Sequence, residues 1–216
     1  MSHEKVFVTD FDGTITKHDF YLLAIQRLIP SDCPNHWDEY RCGRLTHFDA
    51  LAEYFRAIRK DESEVFEVLR EMQIDENLSC SVSSLRQQGW HIVVTSAGCQ
   101  WYIDQLLSDA GVELEVHANP GTYSTATGLE MKRPVSSEFL SHEIGIDKPA
   151  VVRHWCKQAQ TVAFAGDGYP DAEAAKLVPN ELRFARGDLA QQLTDENISF
   201  RPFANWSEIA TALLDV

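Results

Sequence analysis

An α/β fold, a doubly wound parallel sheet carrying an inserted helical cap, is predicted by three features of the 216-residue sequence. Short β-branched and aromatic runs alternate with stretches of helical spacing, as in strand–helix–strand units. Two of those runs, Val6-Phe7-Val8-Thr9 and Thr161-Val162-Ala163-Phe164-Ala165, lead into aspartates beside glycines, the way a buried strand ends in a tight turn. The segment between the first two strands is too long and too helical for a simple crossover, which needs only one helix.

The elements follow in order. The first strand spans Val6 to Asp10, brief and apolar. Asp19 then caps a helix through Phe20, Leu23, Leu28 and Ile29, which Pro30 stops. Thr46 with Asp49 resembles a capping box ahead of Phe48, Leu51, Ala52, Phe55 and Ile58 at helical spacing, and Asp61 with Glu64 repeats it ahead of Val65, Val68, Leu69 and Met72. A helix through Leu78, Val82 and Leu85 ends at Gly89. These helices predict a cap over residues 17–75, inserted in a catalytic core of residues 1–16 and 76–216. The second strand spans His91 to Thr95, followed by a small-residue turn. Turn signals at Asn119-Pro120-Gly121 and Gly128 predict a β-hairpin within Val116 to Met131, a second small flap near the site. Thr161 to Ala165 and Leu182 to Ala185 complete the core strands.

Composition excludes several function classes. A formal net charge of −14 argues against non-specific nucleic-acid binding and against docking on anionic membranes. No apolar run approaches transmembrane length. The amino terminus leads straight into a strand without a secretory segment, so a cytoplasmic location is the expectation. The cysteines Cys33, Cys42, Cys80, Cys99 and Cys156 are odd in number and form no C-x-x-C pair, which predicts neither a disulfide framework nor a zinc site. Nothing in the pattern specifies an oligomeric state.

Four motifs carry the chemistry. Asp10 and Asp12 lie two apart at a strand end, so their side chains share a side, where ligands bind in open α/β sheets. Two close carboxylates need a cation or a shared proton. A D-x-D alone is more often a turn or a helix cap; the apolar strand before this one and Gly13-Thr14 after it favour function. One carboxylate can act as a nucleophile while its neighbour moves a proton. Ser96-Ala97-Gly98, after the second strand, offers a hydroxyl and backbone N–H groups to phosphate oxygens. Lys148 stands at a helix start where a cation is mildly unfavourable, a small hint of a nearby negative group; taken alone, a lysine there is more often a solvated surface residue. Asp167, between Gly166 and Gly168 after a buried strand, and Asp171 four residues on suit a hard divalent cation such as Mg²⁺.

In this order the motifs resemble those of the haloacid dehalogenase superfamily of phosphohydrolases over nearly the whole chain, most specifically through Asp10-Phe11-Asp12-Gly13-Thr14 and Gly166 to Asp171. The resemblance implies a Rossmann-like core and a Mg²⁺-dependent phosphomonoesterase acting on a small phosphorylated metabolite. It implies Asp10 as nucleophile and Asp12 as general acid/base, with Ser96, Ala97 and Lys148 binding the phosphoryl group. Mg²⁺ would be held by Asp10, Asp12 through its backbone carbonyl, and Asp167, with Thr14, Gly168 and Asp171 in support. The helical insertion resembles the phosphoserine-phosphatase-like branch. The segments Thr14 to Asp19, Asp171 to Lys176 and Phe184 to Leu189 are similar to methionine-salvage phosphatases that act on a keto/enol phosphate. In phosphoserine phosphatases a cap glutamate and arginine grip the substrate; here Asp19 falls at the first position and Glu53, with Arg56 a turn later, near the second, which counts against phosphoserine. Asp19, Arg44, Arg56 and Cys99, with His18, Tyr21 and Trp101, are the candidates for substrate choice. A non-catalytic phosphate-binding or phospho-acceptor regulatory protein is the alternative of another class, and the complete set of catalytic groups argues against it.

Overall fold

The structure is a computed structural model and describes residues 3–135 and 138–216. Strand β1 (Lys5–Thr9) is followed by helices α1 (Phe20–Arg27), α2 (His36–Arg41), α3 (His47–Arg56), α4 (Glu62–Glu71) and α5 (Leu78–Gln87), then by β2 (Trp90–Cys99), α6 (Gln100–Asp109) and β3 (Glu115–Asn119). Two hairpins come next, β4 (Gly121–Ser124) with β5 (Gly128–Met131) and β6 (Leu140–Ser141) with β7 (Gly145–Ile146). The chain ends with α7 (Lys148–Gln158), β8 (Thr161–Gly166), α8 (Ala172–Ala175), β9 (Arg183–Ala185), α9 (Gly187–Asp195), β10 (Arg201–Pro202) and α10 (Trp206–Leu213).

Six strands form one parallel sheet in the order β10-β9-β8-β1-β2-β3. Alternate residues of the central strands pack on opposite faces. Val6, Val8, Val93 and Phe164 meet Val151, Val152 and Leu189 on one side. Phe7, Ile92, Val94 and Ala165 meet Leu85, Trp206 and Ile209 on the other. Burial on both faces explains why these strands read as continuous apolar runs rather than as alternating ones.

The four helices α1 to α4 leave the core beside Thr16 and return beside Ile74, which pair as an antiparallel bridge. The N–H groups of Lys17 and His18 both donate to the Met72 carbonyl at 3.0 Å, so the two connections lie side by side. Capping follows the sequence chemistry: Leu22 N–H donates to Asp19 Oδ1 at 3.0 Å, Asp49 N–H to the Thr46 hydroxyl at 3.1 Å, and Asp61 N–H to Glu64 Oε1 at 3.4 Å. Helix α3 buries Phe48, Leu51, Ala52 and Phe55, the stripe its spacing predicts.

The structure corrects several boundaries. Strand β2 runs on to Cys99, with its ladder to β3 broken after Thr95 and resumed at Cys99 opposite Asn119, so Ser96-Ala97-Gly98 is an irregular strand end rather than a turn. The segment expected to be one hairpin splits at Pro120: its first part is the edge strand β3, and the hairpin proper is β4–β5. That hairpin is no flap at the site. Its Leu129 and Met131 are buried in the main core, and the Tyr123 hydroxyl donates to the Lys60 carbonyl, so it props the helical layer from the side. Leu182 closes a 3-10 turn (Asn180–Leu182), and β9 begins one residue later. Among the described residues no helix is long and apolar enough to cross a membrane.

Candidate active site

The carboxyl ends of β1, β2 and β8 open on a cavity of about 430 Å³, placed where the sheet's connections diverge on either side of β1. Asp10 stands at its floor because its N–H, donating to Ala165 O at 2.9 Å, carries the β1–β8 ladder one residue past the strand. The next turn is held by three N–H groups, of Thr14, Ile15 and Thr16, all donating to the Phe11 carbonyl. Gly13 adopts φ +70°, and a Cβ there would lie 2.2 Å from Asp167 Oδ2. Both facts require glycine. Arg186 clamps this turn from outside, donating to the carbonyls of Gly13 at 2.5 Å and Thr16 at 2.7 Å. Gly13→Ala is expected to destabilise the fold by roughly 2–4 kcal/mol, the left-handed backbone and the clash with Asp167 adding together. Urea unfolding measures it; a loss below about 0.5 kcal/mol, the range of an ordinary surface change, would show that the turn yields.

The two aspartates of the motif face different partners. Asp10 Oδ1 accepts from Lys148 Nζ at 2.7 Å, and its Oδ2 lies 3.4 Å from the Thr14 hydroxyl. Asp12 turns toward the helical layer, where Oδ1 accepts from Phe20 N–H at 3.2 Å and Oδ2 from the Tyr102 hydroxyl at 2.7 Å and the Ser96 hydroxyl at 3.4 Å. Burial, with Asp19 and Asp10 adding repulsion, pushes the Asp12 carboxyl up to about 8, although the Tyr102 and Phe20 hydrogen bonds pull the other way.

Lys148 is the first residue of α7, whose N-cap Asp147 accepts from Ala150 N–H at 2.8 Å. Its buried ammonium bridges Asp10 and Asp171, the latter at 2.6 Å. Burial acts to lower its pKa, but the two carboxylates outweigh that and hold the ammonium above the usual lysine range. Asp171 Oδ2 accepts from the N–H groups of Asp167 at 3.2 Å and Gly168 at 3.1 Å, fixing the loop after β8. Burial first, then the charge of Asp10, raises Asp171 to about 6; burial, Asp10 and Asp171 raise Asp167 to about 9.

Asp10, Asp167 and Asp171 each offer an oxygen, all within 4.8 Å of one another. The one ammonium here is bonded to Asp10 and Asp171 and not to Asp167, and the crowding of three acids is what an added cation relieves. An all-oxygen set of this charge fits a hard divalent ion such as Mg²⁺. The Asp12 carboxylate is not part of this group.

Of the other sequence candidates, Thr14, Ser96, Ala97, Gly168, Asp19 and Tyr21 come to the site. The Ser96 hydroxyl also accepts from Gly98 N–H at 2.9 Å. Arg44, Arg56 and Cys99 do not line the cavity. Arg44 is exposed and ion-paired with Glu39, Arg56 pairs with Glu53 at 2.5 Å beside a separate surface pocket, and Cys99 is fully buried. His18 and Trp101 also stay outside, Trp101 packing on Phe66 and Tyr123. Sequence reasoning missed Tyr102, Trp37, His47 and Asn119. Asn119 donates to the carbonyls of Ala97 at 2.7 Å and Ile144 at 3.3 Å, tying the irregular end of β2 to the loop before Lys148. A polar residue at the break between a strand and Pro120 was its one available signal.

Residues 7–176 match the family profile of the haloacid dehalogenase-like hydrolases. The chain is similar to the 2-hydroxy-3-keto-5-methylthiopentenyl-1-phosphate phosphatases of Bacillus velezensis (23% identical, covering 100% of this chain and 92% of that one) and Bacillus pumilus (21%, covering 93% and 87%). Among solved structures it resembles a phospho-aspartyl intermediate analogue of phosphoserine phosphatase, at 16% identity with a TM-score of 0.66 and coverage of 97% of this chain and 98% of the other. A substrate-bound phosphoserine phosphatase complex aligns with a TM-score of 0.63 at 14% identity, covering 98% and 99%. Likeness at these identities speaks to the fold.

Proposed function

This chain belongs to the haloacid dehalogenase-like hydrolase family, and from that premise we propose that it is a phosphatase that hydrolyses a small phosphomonoester through a phosphoaspartyl intermediate on Asp10. The observation that carries the reading is the unlike setting of two neighbouring acids. Asp10 is bonded to the Lys148 ammonium, whereas Asp12 turns to Phe20 N–H and the Tyr102 and Ser96 hydroxyls, a buried setting that raises its carboxyl to about 8. One is suited to attack and the other to protonate.

In this mechanism Asp10 attacks phosphorus while Lys148 holds phosphoryl oxygens with the Ser96 hydroxyl and the adjoining backbone. Asp12 gives its proton to the departing oxygen, then takes one from the water that cleaves the acyl phosphate. Tyr102, Phe20 N–H and Ser96 keep the Asp12 carboxyl aimed at the leaving-group side. Asp10, Asp167 and the Asp12 carbonyl, with Asp171 alongside, would hold Mg²⁺, which when bound offsets phosphate charge so that an anionic nucleophile can approach. Helices α1 to α4, residues 17–75, act as a cap domain on a core of 1–16 and 76–216. Likeness to the salvage phosphatases over the whole chain supports a keto/enol phosphate as substrate, the choice we favour over phosphoserine.

Phosphate release from a panel of small phosphomonoesters tests the reading, with activity expected in millimolar Mg²⁺ and lost under chelation. No release from any of them, an activated aryl phosphate included, would refute it. A second measurement needs no turnover. The carboxyls of Asp171 and Asp167 are raised to about 6 and 9, so the metal-free protein loses stability as pH rises through those values. Mg²⁺ at about ten times its dissociation constant should restore roughly 1.4 kcal/mol, a shift of about 3–6 °C in unfolding midpoint. The shift should be larger at pH 9 than at pH 6, where protons compete with the metal; the reverse order would place the cation elsewhere.

A further inference from the structure

We propose that Asn119 is a positioning residue for phosphoryl transfer: its side-chain amide locks the end of β2 to the segment that delivers Lys148, and so sets the two halves of the phosphoryl cradle at one spacing. This rests on the phosphatase reading above, in which Ser96 with its adjoining backbone and Lys148 hold the phosphoryl oxygens.

The end of β2 has little else to fix it. Its ladder to β1 stops at Val94, and its ladder to β3 breaks after Thr95 and resumes where Cys99 meets Asn119. Ser96, Ala97 and Gly98 lie in that gap. Their backbone is freed for a ligand, but the sheet no longer sets its orientation.

Asn119 supplies the missing constraint. It is fully buried, and the two protons of its Nδ2 go to two carbonyls, Ala97 O at 2.7 Å and Ile144 O at 3.3 Å. The opposite amide orientation would set Oδ1 against both carbonyls, so the network fixes which atom is the donor. The peptide between Ala97 and Gly98 is trans and planar, so holding its carbonyl on one side aims the Gly98 N–H to the other. That N–H donates to Ser96 Oγ at 2.9 Å, and Ser96 lines the cavity. The second bond acts on the other half of the cradle. From Ile144 the chain runs through β7 and the N-cap Asp147 straight into Lys148, whose Nζ reaches Asp10 at 2.7 Å.

Packing alone does not account for this amide. Among the described residues its buried Oδ1 finds no hydrogen-bond partner, a cost that an apolar side chain of similar shape avoids. Gly145 is held at φ +85°, and a Cβ there would overlap the same oxygen, so the chain keeps a glycine to admit it.

The test uses Asn119→Ala with p-nitrophenyl phosphate and phenyl phosphate in saturating Mg²⁺. Misplacing a reacting group by about 1 Å costs on the order of a hundredfold, so kcat/KM should fall about 10–100-fold. The fall should be the same on both esters, because the amide acts on the transferring group and not on the leaving group. It should lie mainly in kcat, as for an interaction realised in the transition state. Orthovanadate, which adopts the five-coordinate shape of the transferring phosphoryl group, should lose affinity by a similar factor. A wild-type measurement does not depend on the variant folding. Whatever factor the amide bonds lend to vanadate binding, bound vanadate lends to those bonds, so hydrogen exchange of the Asn119 Nδ2 protons should slow by about 10–100-fold in the vanadate complex. The proposal is overturned by kcat/KM within about threefold of wild type in folded Asn119→Ala, by a loss confined to one ester, or by exchange that bound vanadate leaves unchanged. No hydrolysis of either ester by the wild-type enzyme removes instead the phosphatase reading on which it stands.

Discussion

Asp10→Asn is expected to lower kcat/KM on every phosphomonoester by at least about 10⁴-fold, the scale on which removal of an attacking group acts in covalent catalysis. The amide oxygen is a weak nucleophile and cannot form the stable acyl phosphate that a carboxylate forms. Acid-quenched wild-type enzyme should retain a phosphoryl group on Asp10 during turnover, and the variant should retain none. The fold should survive the change, because Lys148 keeps its 2.6 Å bond to Asp171 and the Asp10 N–H still continues the ladder to Ala165. Activity within tenfold of wild type in a folded variant would move the nucleophile to another residue. Asp167 would then be the next acid to test.

The floor of the site was legible because it is made by strand ends. Apolar strands buried on both faces announce themselves in a single sequence, and whatever follows them must lie at the sheet's carboxyl edge. Asp10, Asp12, Ser96 and Asp167 were found that way, and the structure brings them, with Lys148, to one cavity. Gly13 carried an additional signal, since a glycine just after a buried strand marks a tight turn, and that turn sets it against Asp167.

The wall was harder to read. Trp37 and His47 face the cavity from helices whose order is visible in the capping residues but whose rotation over the sheet is decided by tertiary packing. The sequence distinguishes the buried stripe of α3, Phe48, Leu51, Ala52 and Phe55, from its polar face, yet not which part of that stripe is core and which lines a cavity. Arg44 and Arg56 were natural candidates by charge. Local acids, Glu39 and Glu53, hold them at the surface instead. Tyr102 was invisible for a different reason: its ring lies in the core against Phe20 while its hydroxyl alone reaches Asp12, and no local pattern separates that tyrosine from an ordinary buried one.

Asp12→Asn is the second large effect, and its form distinguishes a proton carrier from a nucleophile. General acid–base groups contribute about 10²–10⁴-fold, so kcat on an alkyl phosphate should fall by that amount. Metal and phosphate binding should persist, because the Asp12 carboxylate stands outside the group formed by Asp10, Asp167 and Asp171. On p-nitrophenyl phosphate the departing phenolate needs little help, so Asp10 can still be phosphorylated. Water then lacks its base. The variant should release close to one equivalent of nitrophenolate in a burst and thereafter turn over slowly. The wild-type pH profile should carry the same signature: the carboxyl is raised to about 8 by burial and by its acidic neighbours, so the proton needed in the first step is lost above that pH. An alkyl phosphate should accordingly show an alkaline limb near pH 8 in kcat/KM that an aryl phosphate shows weakly. Unimpaired turnover in Asp12→Asn would give the proton to a different group. A loss of activity with no burst on the aryl substrate would make Asp12 a structural support for Asp10 rather than its chemical partner.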